Sequence, residues 1–305
     1  MLKLISQRLA ESAVSLVVVT LLVFALLAVA GGDALTALSN DPLASEATIE
    51  EMRQVYGLDQ PLLARYWRWL SGAARGDLGE SFFYRTSVAS LVVPRLMKTI
   101  TLGLIALSFA WTSSLALGLF AARRPGGGLD RLCELVVTLT ASTPRIVAAL
   151  ALLALASGTS LATAGSAALP AFALSIPLVA LFLAQTREGV GEALKEDFVR
   201  TARAKGLSER AILLKHALRP SLTPLVTIFG YSLGSVMSGS VIVETVLNWP
   251  GLGSLSVNAV RSRDVPLLMG VVLMTAMAVF IGNLIADVLL SVSDPRLRET
   301  SARAV

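Results

Sequence analysis

The 305 residues contain one cysteine, Cys133, and one histidine, His216. No disulfide can close within the chain, and no His/Cys metal cluster can be assembled. Charge is scarce too: Asp, Glu, Lys and Arg make up 15% of residues, against about 25% in soluble domains. That is too little to cover a water-facing globule, which excludes an ordinary cytosolic enzyme and a disordered chain. The pattern G-x-x-x-x-G-K-[ST] is absent as well, so this chain cannot hold ATP in a P-loop.

What the chain has instead is apolar length. Hydrophobic residues are 54% of the total, and the mean hydropathy is +0.71. Uncharged runs cover 12–30, 99–122, 220–243 and 265–286, each close to or above the roughly 20 helical residues that cross a bilayer core. Residues 146–186 give 41 more without a charge, about 62 Å as one helix. That is twice a bilayer, so the segment must fold back. The break is expected at 157–167 (SGTSLATAGSA), and the run before it reaches back to residue 135 through Arg145. The sequence predicts an all-α integral membrane protein, one transmembrane domain over 1–305 with six transmembrane helices in the lipid bilayer.

Lys and Arg set the orientation. With the N-terminus inside, cytoplasmic segments carry Lys3, Arg8, Arg123, Arg124, Arg131, eight bases between 187 and 219, and Arg296, Arg298 and Arg303, together 16 of 26. The two short outer loops carry only Arg261 and Arg263. Segment 31–98 holds seven bases against eight acids, but long outer segments translocate largely regardless of charge. The net charge of +5 is therefore a topology signal, N-in and C-in, and needs no nucleic-acid partner. Ala28-Val29-Ala30 looks like a signal-peptidase site. The apolar run before it outlasts the about 7–15 residues of a signal-peptide core, so the first span is expected to remain as an anchor.

Two polar segments carry information. Residues 31–98 hold Tyr66, Trp67, Trp69, Phe82, Phe83 and Tyr84, and read as a small extracytoplasmic helical cap whose aromatics could also form an interfacial belt. Residues 187–219 are the longest inner segment. Leu194, Phe198 and Ala202 recur every four residues among Lys195, Asp197, Arg200 and Arg203, the pattern of an amphipathic helix. Gly206 is placed to end it in a left-handed turn. Ser208 is placed to cap a second short helix over 209–218, carrying Ile212, Leu213, Leu214 and Leu218. Two amphipathic helices meeting at a glycine need either a partner or anionic lipid.

At this point a family resemblance emerges. DFVRTARAKGLSERAILLKHALRPSL (197–222) closely resembles the cytoplasmic coupling segment of the dipeptide, oligopeptide and nickel permeases of ABC importers. YGLDQPLLARYWRWL (56–70), GDLGESF (76–82) and PRLMKTITLGL (94–104) resemble that family's first outer loop and second span. VETVLNWPGLGSL (243–255) and RDVPLLMG (263–270) resemble its last outer loop, and NLIADVLLSVSDPRLR (283–298) its C-terminal signature. The order is right along nearly the whole chain.

The resemblance implies the permease of a type I ABC importer in a bacterial inner membrane. It implies a second homologous permease, two cytosolic ATPase subunits holding ATP and Mg, and an extracytoplasmic substrate-binding protein. This chain itself then has no cofactor and does no bond chemistry. The coupling segment is implied to dock on an ATPase through Phe198, Thr201, Ala202, Lys205, Gly206, Leu207, Ser208 and Leu218. Ala202 and Gly206 fall on the second alanine and the glycine of the EAA-type motif, while Arg200 and Thr201 replace its Glu and Ala. Dipeptides or oligopeptides are the implied cargo; nickel or another metal chelate is the alternative. Departures from the pattern are Gly31-Gly32-Asp33 in place of Pro-Gly-Asp, a short 157–167, and Arg145 directly after Pro144.

Arg145 falls near the centre of the third expected span, where an arginine costs at least about 2.5–3.5 kcal/mol. Either it lines the translocation pathway and meets an anionic substrate, or a kink at Pro144 lets it snorkel or pair with another subunit. Glu244 is a second pathway candidate, at a span end where water is expected to be close. Two rival functions are weighed against transport by an importer. Gly230-Tyr231-Ser232-Leu233-Gly234 matches the G-x-S-x-G pattern of serine hydrolases. It lies inside a span, and the one histidine is 16 residues away, so small residues at 230, 234 and 238 are read as a helix-packing face. A secondary transporter would need buried ionisable residues for ion coupling, and Arg145 alone is thin support.

Overall fold

The structure is a computed structural model in which residues 2–29, 59–159 and 166–293 are described. Gly31-Gly32-Asp33, the cap as far as residue 58, residues 160–165 of the expected break and the end of the C-terminal signature lie outside the described residues. In chain order the helices are α1 (Leu2–Val29), α2 (Leu62–Ala73), α3 (Val88–Ala122), α4 (Gly128–Ser142) and α5 (Arg145–Ala156). Then follow α6 (Ala168–Ala193), α7 (Asp197–Ala204), α8 (Glu209–Val246), α9 (Leu252–Arg261) and α10 (Val265–Ser293).

Helices α1, α3, α6, α8 and α10 are each long and apolar enough to cross a membrane, and α4 with α5 make a sixth candidate span bent by 108°. The third expected span over 135–156 is thus broken into an elbow at the position where a kink at Pro144 was one of the two readings. Its cause is local. The ring of Pro144 disfavours helical backbone at the preceding residue, and Thr143 is extended (φ −91°, ψ 118°).

Two further expectations are corrected. The second span begins at Val88 rather than 99 and runs for 35 residues, because Arg95 and Lys98 interrupt the uncharged run without interrupting the helix. The second short helix expected at 209–218 does not end there. It is the start of the 38-residue α8, with one wide π-turn at Ile212–Ala217. That turn lies just before Pro220, whose missing N–H leaves the His216 carbonyl without its usual partner four residues on.

The chain clusters into two compact units. The first comprises Met1–Thr99 with Pro250–Ala278. Here Tyr66 of α2 is buried against Phe24 and Met269. Its hydroxyl donates to the Val17 carbonyl at 3.0 Å and pairs with Thr20 Oγ1 at 3.0 Å. Trp67 and Phe83 remain exposed, so the cap aromatics divide between core and surface. Gly76 (φ 86°) and Gly79 (φ 83°) fold GDLG into a tight turn, conformations that residues with a Cβ rarely adopt. Fully buried Asp264 then ties this loop to the start of α10. Its Oδ2 accepts from Ser81 Oγ (2.5 Å) and Phe83 N (3.0 Å), and its Oδ1 from Leu267 N (3.1 Å).

The second unit comprises Ile100–Trp249 with Val279–Val305. Its core packs Leu102, Leu107, Leu174, Leu178, Phe182, Val236 and Val243. Trp111 meets Phe182 and Phe229 edge-on, with centroids 5.3 and 5.0 Å apart. The expected small-residue face is partly present. A Cβ on Gly230 would come within 2.9 Å of the Ala286 Cα, so glycine there permits close helix contact. Ser238 is exposed and is not part of that face.

Candidate functional site: a glycine elbow and an arginine at a helix break

Segment 187–219 folds as the glycine signal predicts. Gly206 has φ +79°, a left-handed conformation that costs other residues about 1 kcal/mol or more. Leu207 N donates to Ala202 O (3.2 Å) and Gly206 N to Arg203 O (2.9 Å). This pair of bonds is the Schellman arrangement that satisfies the last carbonyls of α7. Ser208 then caps α8, its hydroxyl oxygen accepting from Ala211 N at 3.3 Å.

The eight expected coupling residues do not all play one role in this geometry. Ala202 is buried with Val199 and Ile212, and Leu194 packs against them. Leu218 is half-buried where the wide turn gives way to ordinary helix. Thr201, Lys205, Gly206 and Ser208 are exposed, as are the apolar Phe198 (43%) and Leu207 (36%). The expected Leu194–Phe198–Ala202 face is corrected: Leu194 belongs to the end of α6, and Val199 occupies the place predicted for Phe198. The shift arises because α7 starts only at Asp197, so the four-residue spacing spans two elements.

Three contacts were missed in the sequence. Arg203 and Glu209 clasp the elbow from its two sides, Nε to Oε1 at 2.8 Å and Nη2 to Oε2 at 3.3 Å. The hydrogen bond with Arg203 holds the Glu209 carboxyl below its ordinary range, and the bond with Glu209 pushes the Arg203 guanidinium higher still. At the foot of α6, Arg187 Nε donates to Asp130 Oδ1 at 2.7 Å. The other oxygen of Asp130 accepts from Gly126 N at 2.9 Å. A capping rule finds Ser208, but no spacing rule finds the Arg187 pair, which joins residues 57 apart.

The third contact is Arg145 on Gly239. Arg145 begins α5 at the 108° elbow. A Cβ built on Gly239 of α8 would overlap its Nη1 and approach its Cζ to 2.9 Å, so the guanidinium rests on the glycine backbone. Among the described residues Arg145 has no hydrogen-bond or ion-pair partner. Glu244 differs from expectation: it is fully buried in the last turns of α8 rather than near water. Ser232 is also fully buried and donates to Ile228 O at 2.8 Å within an unbroken helix. It has no strand-to-helix turn of the kind a hydrolase nucleophile occupies.

Five or six candidate spans with a glycine elbow between two of them fit an importer permease. Residues 114–299 match the family model described as "binding-protein-dependent transport system inner membrane component", and 1–103 match the model of its N-terminal part. The chain belongs to this family, within its dipeptide and oligopeptide permease branch. It is 35% identical over 297 residues to the oligopeptide transport system permease protein AppB of Bacillus subtilis (strain 168), covering 92% of this chain and 94% of that protein. It is 34% identical over 305 residues to the glutathione transport system permease protein GsiC of Escherichia coli (strain K12), covering 98% and 99%. Among solved structures it resembles the inward-facing MetNI methionine ABC transporter, with TM-score 0.58 and 18% identity over 67% of this chain and 96% of that one. That likeness concerns the fold, which is the type I importer permease. The chain is therefore a multi-pass inner-membrane transport subunit of an ABC importer. ATP hydrolysis belongs to separate ATPase subunits, and a substrate-binding protein serves the system.

Proposed function

We propose that this permease moves dipeptides or oligopeptides inward by alternating access, with six spans oriented N-in and C-in beside a second, related permease. The observation that carries this reading is end-to-end similarity to permeases of oligopeptide and glutathione systems. The charge sorting, 16 of 26 bases on proposed inner segments, supports the orientation.

The elbow gives the reading a mechanism. Exposed Phe198, Thr201, Lys205 and Leu207 would meet a groove on an ATPase subunit. Gly206 and Ser208 set the turn, and Ala202 and Leu218 seat it on α8. Because α8 is continuous from Glu209 to Val246, a push on the elbow is delivered to a membrane helix through the wide turn at Ile212–Ala217. ATP favours the state in which the two ATPase subunits close, and each ligand biases the equilibrium only by its differential affinity. Arg145 would line the pathway; Glu244, buried in this state, would join it only on rearrangement. No cofactor in this chain takes part.

Co-purification followed by reconstitution tests the proposal. Uptake of labelled peptides into proteoliposomes that requires ATP and the binding protein is the expected result. Uptake of nickel chelates with no peptide uptake would replace the cargo assignment.

A further inference from the structure

Between Glu134, the last acidic residue of α4, and Arg145 lie ten uncharged residues, 135–144. Those in α4, 135–142, rise about 12 Å as helix before the 108° elbow at which Arg145 sits, a depth inside a roughly 30 Å hydrocarbon core. A guanidinium at that depth needs an anion, a carbonyl or water, and none of the described side chains supplies the anion. The sequence beside Arg145 and beside Gly239 is polar for a membrane interior. Ser142 and Thr143 end α4, and Ser238 and Ser240 flank Gly239 on α8. Each of these hydroxyls donates to a carbonyl of its own helix. Their oxygens are thereby left as acceptors only, which do not neutralise a cation.

We infer that Arg145, held open by Gly239, is the group that receives the carboxylate of the transported peptide at mid-membrane. The inference rests on the peptide-import reading and names the part of the substrate that the permease itself recognises. A guanidinium suits this task because its planar fork of donors matches a carboxylate. The role of Gly239 is positional. Any side chain there would displace the guanidinium from α8, moving the anion site out of register with the elbow at Pro144. A single charge-assisted contact also fits a transporter, since the site must release what it binds when the spans rearrange.

The experiment uses the complete importer, co-purified and reconstituted with its binding protein. Uptake is measured for a tripeptide with a free C-terminus and for the same tripeptide amidated there, each at saturating loading of the binding protein. Arg145→Gln is expected to slow free-acid uptake about tenfold, the low end for a hydrogen bond to a charged group. Amide uptake should stay at the wild-type amide rate. Arg145→Lys should retain most of the free-acid uptake by keeping the charge, and Gly239→Ala should lower it in the same direction as Arg145→Gln. ATP hydrolysis and complex assembly are monitored for every variant. Equal loss of free-acid and amide uptake, equal damage from Lys and Gln, or a dissociated complex would overturn the inference in favour of a structural pairing. If the binding protein rejects the amide, the Lys and Gln variants decide on the free acid alone. Absence of peptide uptake by the wild type would instead remove the importer-of-peptides reading on which the inference stands.

Discussion

Arg203 and Glu209 grip each other through two hydrogen bonds, 2.8 and 3.3 Å long, across a turn whose centre is Gly206. The pair joins the end of α7 to the first turn of α8, the two elements that meet at the elbow. Both side chains are solvent-exposed, so an isolated pair of this kind adds little to overall stability. Its effect is on the angle of the elbow. Arg203→Ala or Glu209→Ala should lower substrate moved per ATP hydrolysed by a few-fold while leaving the ATPase rate near wild type. The exchange Arg203→Glu with Glu209→Arg should recover part of the loss. Transport and hydrolysis measured on the same proteoliposomes give the ratio.

The clasp also predicts a pH dependence. Glu209 has a folded-state pKa below its ordinary value, so its contribution is complete above the ordinary glutamate pKa. It is lost as pH falls through the depressed value. The coupling ratio should therefore be flat from about pH 6 to 8. Glu209→Gln should lower it across that whole range, which stopped assays at several pH values would record.

Gly206→Val places a β-branched residue at φ +79°, where the strain exceeds the about 1 kcal/mol of a simple side chain. Membrane insertion should be normal and transport abolished. Wild-type uptake by this variant would contradict the coupling role of the elbow.

Asp264 accepts three hydrogen bonds in a site with no solvent access. Asp264→Ala strands Ser81 Oγ and two backbone N–H groups. The expected cost is of order 3 kcal/mol, visible as a lower melting temperature in detergent. Asp264→Asn should fall between, because it keeps an acceptor. Ser232→Ala removes only a bond within its own helix, and uptake should be unchanged; total loss with normal assembly would reopen a hydrolase role.

Local chemistry was legible in the sequence where one residue decides the outcome. The left-handed turn at Gly206, the cap at Ser208 and the break near Pro144 all follow from backbone rules acting within a few residues. The apolar runs located the spans because a bilayer tests length and charge alone. What the sequence hid depends on distant partners. Asp264 reads as an outer-loop acid until Ser81, 183 residues away, is placed beside it. Phe198 fits a helical stripe by spacing, yet the stripe bridges two elements, and the buried position goes to Val199. The glycine at 239 carries no signal of its own, since its meaning lies in the guanidinium resting on it.

The central claim is that this chain couples ATP hydrolysis on other subunits to peptide import. The most direct test purifies the tagged chain in mild detergent, reconstitutes the recovered complex and measures peptide uptake with ATP, with a non-hydrolysable analogue and with a proton gradient. The account predicts a complex containing a P-loop ATPase and a second permease, uptake with hydrolysable ATP alone, and its loss in Gly206→Val. Recovery of this chain by itself, with uptake driven by the gradient and indifferent to ATP, would contradict it.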